Sequence, residues 1–165
     1  MKVTRTYLEM IDQGAFRPAW TGVPDVRVDR VGACPVSFYR YLYSEVGRAY
    51  RWQDRLHWRD AEIAAHLDDP SRALWVMWVE NAPAGYAELK HERDGGVELA
   101  FFGLLPEYVG RGLGKHLLSV VVERAWEDGA RRIWLHTCTL DHPSALPNYL
   151  KRGFSPFKTE VYDVE

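Results

Sequence analysis

The chain of 165 residues has the usual size of one domain and is long enough to bury a core. Its composition, 47% hydrophobic and 27% charged, is typical of globular proteins and excludes a disordered or fibrous chain. A formal net charge of −2 provides no general attraction for nucleic acid or an anionic membrane, so an anionic ligand requires a local site.

The first half of the chain predicts two strands followed by two helices. Strands at Val3–Glu9 and Asp25–Val31 flank a loop that is rich in glycine and proline. Helices at Phe38–Val46 and Asp60–Leu67 follow, and Asp60 is the predicted N-cap of the second helix.

The second half predicts three strands, then helices and strands in alternation. The two helices are followed directly by Gly129 and Gly153, which suit left-handed C-caps. In chain order these elements are Ala73–Glu80, Ala84–His91, Val97–Leu105, 112–128, Arg132–Thr139, Ser144–Arg152 and Phe157–Tyr162. The order ββααβββαβαβ predicts an α/β protein with helices on a mixed sheet. We expect a single domain over residues 1–165, with an extra strand and loop at about 1–24.

Cysteine content and hydropathy predict the compartment. The two cysteines, Cys34 and Cys138, are too few for a disulfide framework, which fits a reducing cytosol. No apolar run approaches the ~20 residues of a membrane-spanning helix, and residues 1–14 lack the apolar core of a signal peptide. We therefore expect a cytoplasmic protein that binds neither membranes nor nucleic acid.

The segment of the second half that indicates chemistry is the glycine-rich loop 105–115, LPEYVGRGLGK, between a predicted strand and helix. Glycine lets a backbone approach a ligand closely, and a helix N-terminus presents unpaired N–H groups and a positive dipole end. A Walker A loop requires glycine in place of Val109 and Ser or Thr in place of His116. A dinucleotide-binding G-x-G-x-x-G loop requires glycine in place of Lys115 or Leu117. The loop is therefore a predicted phosphate site of another kind.

Two segments carry a resemblance to a known family. Residues 109–114, VGRGLG, resemble motif A of the GNAT superfamily, Q/R-x-x-G-x-G/A, with Val109 where the family prefers Gln or Arg. Residues 142–154, HPSALPNYLKRGF, resemble its N-x-x-A-x-x-x-Y-x-x-x-G-F helix, with His142 in place of the asparagine. The resemblance covers residues 70–165 well and the N-terminal half only by its order of helices. It implies the GNAT fold, a central mixed, mostly antiparallel twisted sheet flanked by helices.

The resemblance also implies an N-acetyltransferase with acetyl-CoA as cosubstrate. One group of residues is implied to offer backbone groups to the pantetheine arm: Phe102, Gly103 and Leu104. A second group is implied to hold the pyrophosphate: Val109, Gly110, Arg111, Gly112, Leu113, Gly114 and Lys115, with His142 contacting the coenzyme from the asparagine's position. Arg111 and Lys115 are equally compatible with solvated surface charges.

Tyr149 and Glu98 are the predicted catalytic residues. Tyr149 occupies the position of the family tyrosine that protonates the leaving thiolate; the alternative is a packed tyrosine on an amphipathic helix. Glu98 lies 16 positions before Gly114, the spacing of the catalytic glutamate in histone-type members. Strict alternation places Glu98 on one face with Ala100 and Phe102, and apolar neighbours there would raise its pKa, which suits a base acting through water. The alternative is an exposed glutamate at the start of a strand.

Other side chains have predicted binding or packing roles. Aromatic residues of the first half form the predicted acceptor wall, or equally a core: Tyr39, Tyr43, Trp52 and Trp58. His136 is predicted to be a core histidine, and either Asp141 or His142 to cap the last helix. The histidines lack metal-ligand spacing, so no metal is expected.

Two functions remain open at this point. One is direct acetyl transfer to an amine, without an acetyl-enzyme on Cys138. The other is a non-catalytic acyl-CoA sensor or interaction module. Acceptor classes that stay open are a small molecule such as a polyamine or aminoglycoside, and a peptide amine at an N-terminus or lysine. The sequence leaves the oligomeric state, including a homodimer, undetermined.

Overall fold

A computed structural model describes all residues from Met1 to Glu165. Seven strands form one sheet in the order β2-β3-β4-β5-β6-β1-β7, and four α-helices cover it. The strands are β1 (Lys2–Met10), β2 (Val26–Arg30), β3 (Arg72–Val79), β4 (Ala82–His91), β5 (Gly96–Leu104), β6 (Arg132–Cys138) and β7 (Ser155–Asp163). The helices are α1 (Val36–Gly47), α2 (Asp60–Asp68), α3 (Gly114–Glu127) and α4 (Ala145–Lys151). The predicted α/β class, the element order and the mixed sheet are confirmed.

The sheet is antiparallel except at its centre. There β5 and β6, joined by the crossover helix α3, run parallel, and their pairing covers only Gly96–Glu98 against Arg132–Trp134. Beyond this contact β5 pairs with β4 alone and β6 pairs with β1 alone. The two central strands therefore separate after Glu98 and leave a gap in the sheet.

One irregularity in β5 decides which side chains share a face. Ala100 has no partner in the register with β4, so β5 contains one extra residue there. The bulge reverses the alternation: Glu98 and Phe101 lie on the α1 side of the sheet, whereas Phe102 packs in the core under α3. The expectation that Glu98 shares a face with Phe102 is wrong, because alternation by twos does not continue through a bulge.

Each face of the sheet has its own core. The larger core lies under α3, whose inward side chains Leu117, Leu118 and Val121 are fully buried because they recur at helical spacing. The smaller core lies under α1 and contains Leu42 and Val46. None of the helices is long and apolar enough to cross a membrane.

The predicted N-cap of α2 is wrong by one residue. Arg59 occupies the N-cap of α2, and Asp60 lies in the first turn, where its carboxylate accepts a hydrogen bond of 2.7 Å from Arg40. A carboxylate in the first turn still complements the positive end of the helix dipole.

The close approach of α4 to the N-terminal loop generates a first prediction. Gly153 has φ +108°, and a Cβ there would lie 2.0 Å from the carbonyl oxygen of Ala15. We expect Gly153→Ala to lower the free energy of unfolding by about 2–4 kcal/mol, through backbone strain and overlap. Gly22→Ala, where a Cβ meets nothing within 4 Å, is the matched control. Urea unfolding measures both, and equal stabilities would contradict the packing described here.

Candidate functional site

A cleft of about 1210 Å³ opens where β5 and β6 separate. One wall is β5 from Leu99 to Leu104, and the other is the end of β6 with the segment 140–145. The loop before α3 closes one end, and the connection between α1 and α2, residues 50–55, closes the other. The volume exceeds the ~300–1,000 Å³ of most small-ligand pockets, so the cleft has room for a long ligand.

The β5 wall of the cleft exposes backbone groups as well as side chains. Phe102, Gly103 and Leu104, the predicted pantetheine-binding residues, line the cleft and pair with β4 on their other side. Their edge towards β6 has no strand partner. Backbone N–H and C=O groups need partners, and an extended ligand with amide groups can supply them as an added strand does.

The loop before α3 combines left-handed glycines with an uncapped helix N-terminus. Gly110 and Gly112 have φ of +84° and +73°, in the left-handed region that glycine adopts without strain. The N-cap residue Leu113 is apolar and no side chain caps α3, so the first N–H groups of the helix are free to bind a ligand. Lys115 lines the cleft beside this turn.

The remaining residues of the loop are divided between cleft and surface. Val109, Gly110, Gly112, Leu113 and Gly114 line the cleft. Arg111 does not: its guanidinium group lies 5.4 Å from the ring centre of Tyr108, outside the cleft.

Tyr149 reaches the cleft from α4. Its ring packs edge-on against Phe102 and Phe154, with centroid distances of 6.0 and 6.1 Å. Its hydroxyl group has no hydrogen-bond partner in the protein, and the residue lines the cleft. Burial, and secondarily the charge of Asp141, raises the pKa of Tyr149 above its ordinary value, so the phenol stays protonated and able to donate.

Glu98 lies where the two strands part. It is paired with Trp134 at the last step of the β5–β6 contact and lines the cleft. Burial, and next the nearby charge of Glu92, raises the pKa of Glu98 above its ordinary value. Glu92 is itself held by the indole N–H of Trp134 at 2.8 Å. A carboxylate with a raised pKa and an open side towards the cleft can accept a proton.

The predicted aromatic wall is divided by the structure. Tyr43, Trp52 and Trp58 line the cleft, and Trp52 packs against Phe101 with a centroid distance of 5.0 Å. Tyr39 lies beneath the cleft, only 1% exposed, and its hydroxyl group donates to Glu88 at 2.9 Å.

The end of β6 also differs from the sequence expectations. Asp141 accepts hydrogen bonds from the Thr137 hydroxyl at 2.6 Å and from the Cys138 N–H at 3.0 Å. His142 accepts from the N–H of Ser144 at 3.0 Å and lines the cleft. Neither side chain caps α4, so that prediction is wrong. His136, expected in the core, is an exposed residue on the cleft wall.

A buried charge cluster lies directly below the cleft, and sequence reasoning missed it. Glu88 is 2% exposed and binds Arg55 at 2.8 Å, Arg72 at 3.0 Å and His66 at 3.2 Å. We call Glu88 with these three partners the Glu88 cluster. Its one signal in the sequence is a glutamate between Ala87 and Leu89 inside a predicted strand.

The partners of Glu88 keep it ionised. Burial alone would raise the pKa of this carboxyl group, but the hydrogen bond from His66 and the charge of Arg55 outweigh burial and lower the pKa to about 2. Glu88 therefore remains a fixed counterion for Arg55 and Arg72, both of which line the cleft.

Comparison with known proteins identifies the family of this chain. A family model described as "Acetyltransferase (GNAT) family" matches residues 38–154. An uncharacterised N-acetyltransferase of Mycobacterium tuberculosis is 36% identical over 102 residues, which are 62% of this chain and 65% of the relative. The match thus spans just under two thirds of the relative's length.

Solved structures share the fold. A GCN5-related N-acetyltransferase from Sphaerobacter thermophilus superposes with a TM-score of 0.73 at 16% identity, covering 96% of this chain and 50% of that one. The PaiA N-acetyltransferase from Thermoplasma acidophilum, solved in complex with coenzyme A, gives a TM-score of 0.50 at 15% identity, covering 62% and 74%.

The Glu88 cluster generates a prediction for stability. The pKa of Glu88 is about 2 in the folded protein against an ordinary 4.5, so its contribution is complete above pH 4.5 and is lost as the pH falls towards 2. That contribution is about 3 kcal/mol. Urea unfolding between pH 7 and pH 2 should show this loss in the wild type and a smaller one in the double variant Arg55→Met/Glu88→Gln, which removes both charges together. Equal pH dependence in the two proteins would contradict the assignment.

Proposed function

The chain belongs to the GNAT acetyltransferase family, and we propose that it transfers an acetyl group from acetyl-CoA directly to an amine bound in the cleft. One observation carries this proposal. The same cleft is lined by the open edge of β5, an uncapped helix N-terminus behind a glycine loop, and the hydroxyl-bearing Tyr149. We further propose that residues 1–165 act as one domain.

The coenzyme is proposed to lie along the β5 wall. The free N–H groups at the start of α3, with Lys115, suit the pyrophosphate, because a helix N-terminus favours anions. The amides of the pantetheine arm suit the open edge at Phe102–Leu104. Val109 contributes no polar side chain, so this binding depends on backbone groups. His142, on the opposite wall, is proposed to contact the coenzyme.

The chemistry of the transfer is assigned to two residues. Glu98, acting through water, takes the proton that the amine loses, and its raised pKa suits that role. The neutral amine then attacks the acetyl carbon, and backbone N–H groups near Gly103 stabilise the charge that develops on the oxygen. The carbon–sulfur bond breaks as the carbonyl group re-forms, and the second proton of the nitrogen passes to water. Tyr149, whose phenol stays protonated, donates its proton to the departing sulfur. Cys138 forms no acetyl-enzyme.

The acceptor is proposed to enter from the aromatic end of the cleft. Tyr43, Trp52 and Trp58 form this wall, next to Glu98 on the same face of the sheet as Phe101. Tyr39 supports the wall from below and does not contact the acceptor.

The glycine loop gives a binding prediction with a matched control. Gly112→Ala places an alanine at a position with left-handed backbone angles, and relieving that strain would move the backbone of the proposed anion site. We therefore expect CoA to bind at least about tenfold more weakly. Gly129→Ala imposes the same strain, at φ +96°, at the opposite end of α3. It should lower stability and leave CoA affinity unchanged. Calorimetric titration measures both, and equal affinities in the two folded variants would place the coenzyme elsewhere.

The catalytic assignment is tested by thiol release from acetyl-CoA with a panel of amines. Tyr149→Phe retains the ring contacts and loses only the hydroxyl group that donates the proton. We therefore expect kcat to fall about 10-fold to 100-fold while CoA affinity is retained. Glu98→Gln should remove the rise of kcat/KM with pH that follows ionisation of Glu98. Cys138→Ala should retain activity.

Two results would contradict the proposed reaction. Loss of turnover in a folded Cys138→Ala variant would indicate an acetyl-enzyme. If thiol release is unchanged in both the Glu98 and the Tyr149 variant, neither residue is a catalyst. That result would favour the alternative of a module that binds acyl-CoA.

A further inference from the structure

Arg55 has features that packing alone does not require. Its side chain is only 9% exposed, yet it lines the acceptor end of the cleft. All its side-chain hydrogen bonds start from Nη1, which faces Glu88, Tyr39 and His66. Nε and Nη2 have no acceptor in the protein, and neither atom is fully buried. A largely buried guanidinium group thus has donors left over beside the cleft.

The orientation of this group is fixed on several sides. The guanidinium carbon lies 4.3 Å from the ring centre of Phe101 and 4.9 Å from that of Trp58. The backbone N–H of Arg55 donates to the hydroxyl group of Tyr43 at 3.2 Å. A guanidinium group held in this way loses little further entropy when its remaining N–H groups bind a planar anion.

The local charge favours an anion. Arg72 also lines the cleft, and its Nη1 donates to Oε2 of Glu88 at 3.0 Å. Arg72 has a second carboxylate partner, Asp69, at 4.0 Å, whereas Arg55 has only Glu88, which it shares with Arg72. The positive charge of Arg55 is therefore only partly offset within the protein. Because the Arg55 side chain is only 9% exposed, its charge attracts an anion more strongly than an exposed one would.

Acidic groups line the same end of the cleft. Glu98 and Asp54 are both lining residues, and Glu98 lies close enough to Arg72 for that charge to affect its titration. The acceptor end therefore combines carboxylates suited to an ammonium group with donors suited to a carboxylate. A ligand that carries both charges on one small molecule satisfies both.

We propose that the acceptor is an amino acid, a small amine that carries a carboxylate, and that Arg55 with Arg72 binds the carboxylate. The inference rests on the proposed transfer reaction and adds the substrate class. The planar fork of Arg55 matches the two oxygens of a carboxylate. A phosphate group carries a larger negative charge than a carboxylate, and the nearby carboxylates of Glu98 and Asp54 would repel it more strongly. Phosphorylated amines are therefore the disfavoured class, and the test includes one as the competing outcome.

The first test compares matched substrates on the unmodified protein. Thiol release is measured with the common amino acids, β-alanine and γ-aminobutyrate, with the amide of each, and with phosphoethanolamine. The best acid should exceed its own amide by about tenfold or more in kcat/KM, because the amide cannot accept two charge-assisted hydrogen bonds. Amides that react as well as their acids, or phosphoethanolamine as the preferred substrate, would overturn the proposal while leaving acetyl transfer intact.

A binding measurement separates this inference from the proposed reaction. If no amine supports turnover, the transfer reaction is wrong, but the carboxylate site can still be measured by calorimetry with N-acetyl amino acids and their amides. Tighter binding of the acids supports the site. If no acid binds more tightly than its own amide, the carboxylate site is wrong.

Variants then assign the preference to Arg55. Arg55→Met/Glu88→Gln removes a buried positive and a buried negative charge together, so no unpaired buried carboxylate remains. In this variant the ratio of acid to amide should fall severalfold, because the planar fork of Arg55 is lost and only Arg72 remains, while CoA affinity is unchanged. Arg59→Gln, whose side chain is 81% exposed and pairs with Glu62, is the matched control and should keep the wild-type ratio. An unchanged ratio in the folded double variant would overturn the assignment.

Discussion

The short contact between β5 and β6 is the constraint on which the rest of the site depends. Because these strands pair over only three residues each, the sheet divides after Glu98 and the edge of β5 stays open. The same division separates the wall that carries Phe102 from the wall that carries His142, and α4 places Tyr149 at the opening. A sheet with complete pairing would have satisfied this backbone internally and left no cleft.

The Glu88 cluster connects the aromatic end of the cleft to the core. Its members come from α2, β3, β4 and the segment between α1 and α2, and Tyr39 of α1 joins them through its hydroxyl group. A buried ion cluster of this kind adds little net stability compared with apolar packing, but losing one partner is costly. Its main effect is to fix the positions of Arg55 and Arg72, and thus the charges that line the cleft.

Much of the fold follows from the sequence because the relevant signals are local. The glycine loop is predictable since Gly110 and Gly112 adopt left-handed backbone angles that other residues avoid, and the order of strands and helices follows from their periodicities. The bulge at Ala100 is not predictable, because one inserted residue depends on the register with β4. The pairing of Arg55 with Glu88, 33 positions apart, depends on tertiary packing, so no local pattern predicts it.

Amide hydrogen exchange with and without CoA tests the proposed binding of coenzyme A along the open edge of β5. We expect slower exchange at residues 102–104, on that edge, and at 110–115, in the loop and first turn of α3, with no change along β7. Binding of CoA that leaves the exchange of both segments unchanged would contradict this placement of the coenzyme.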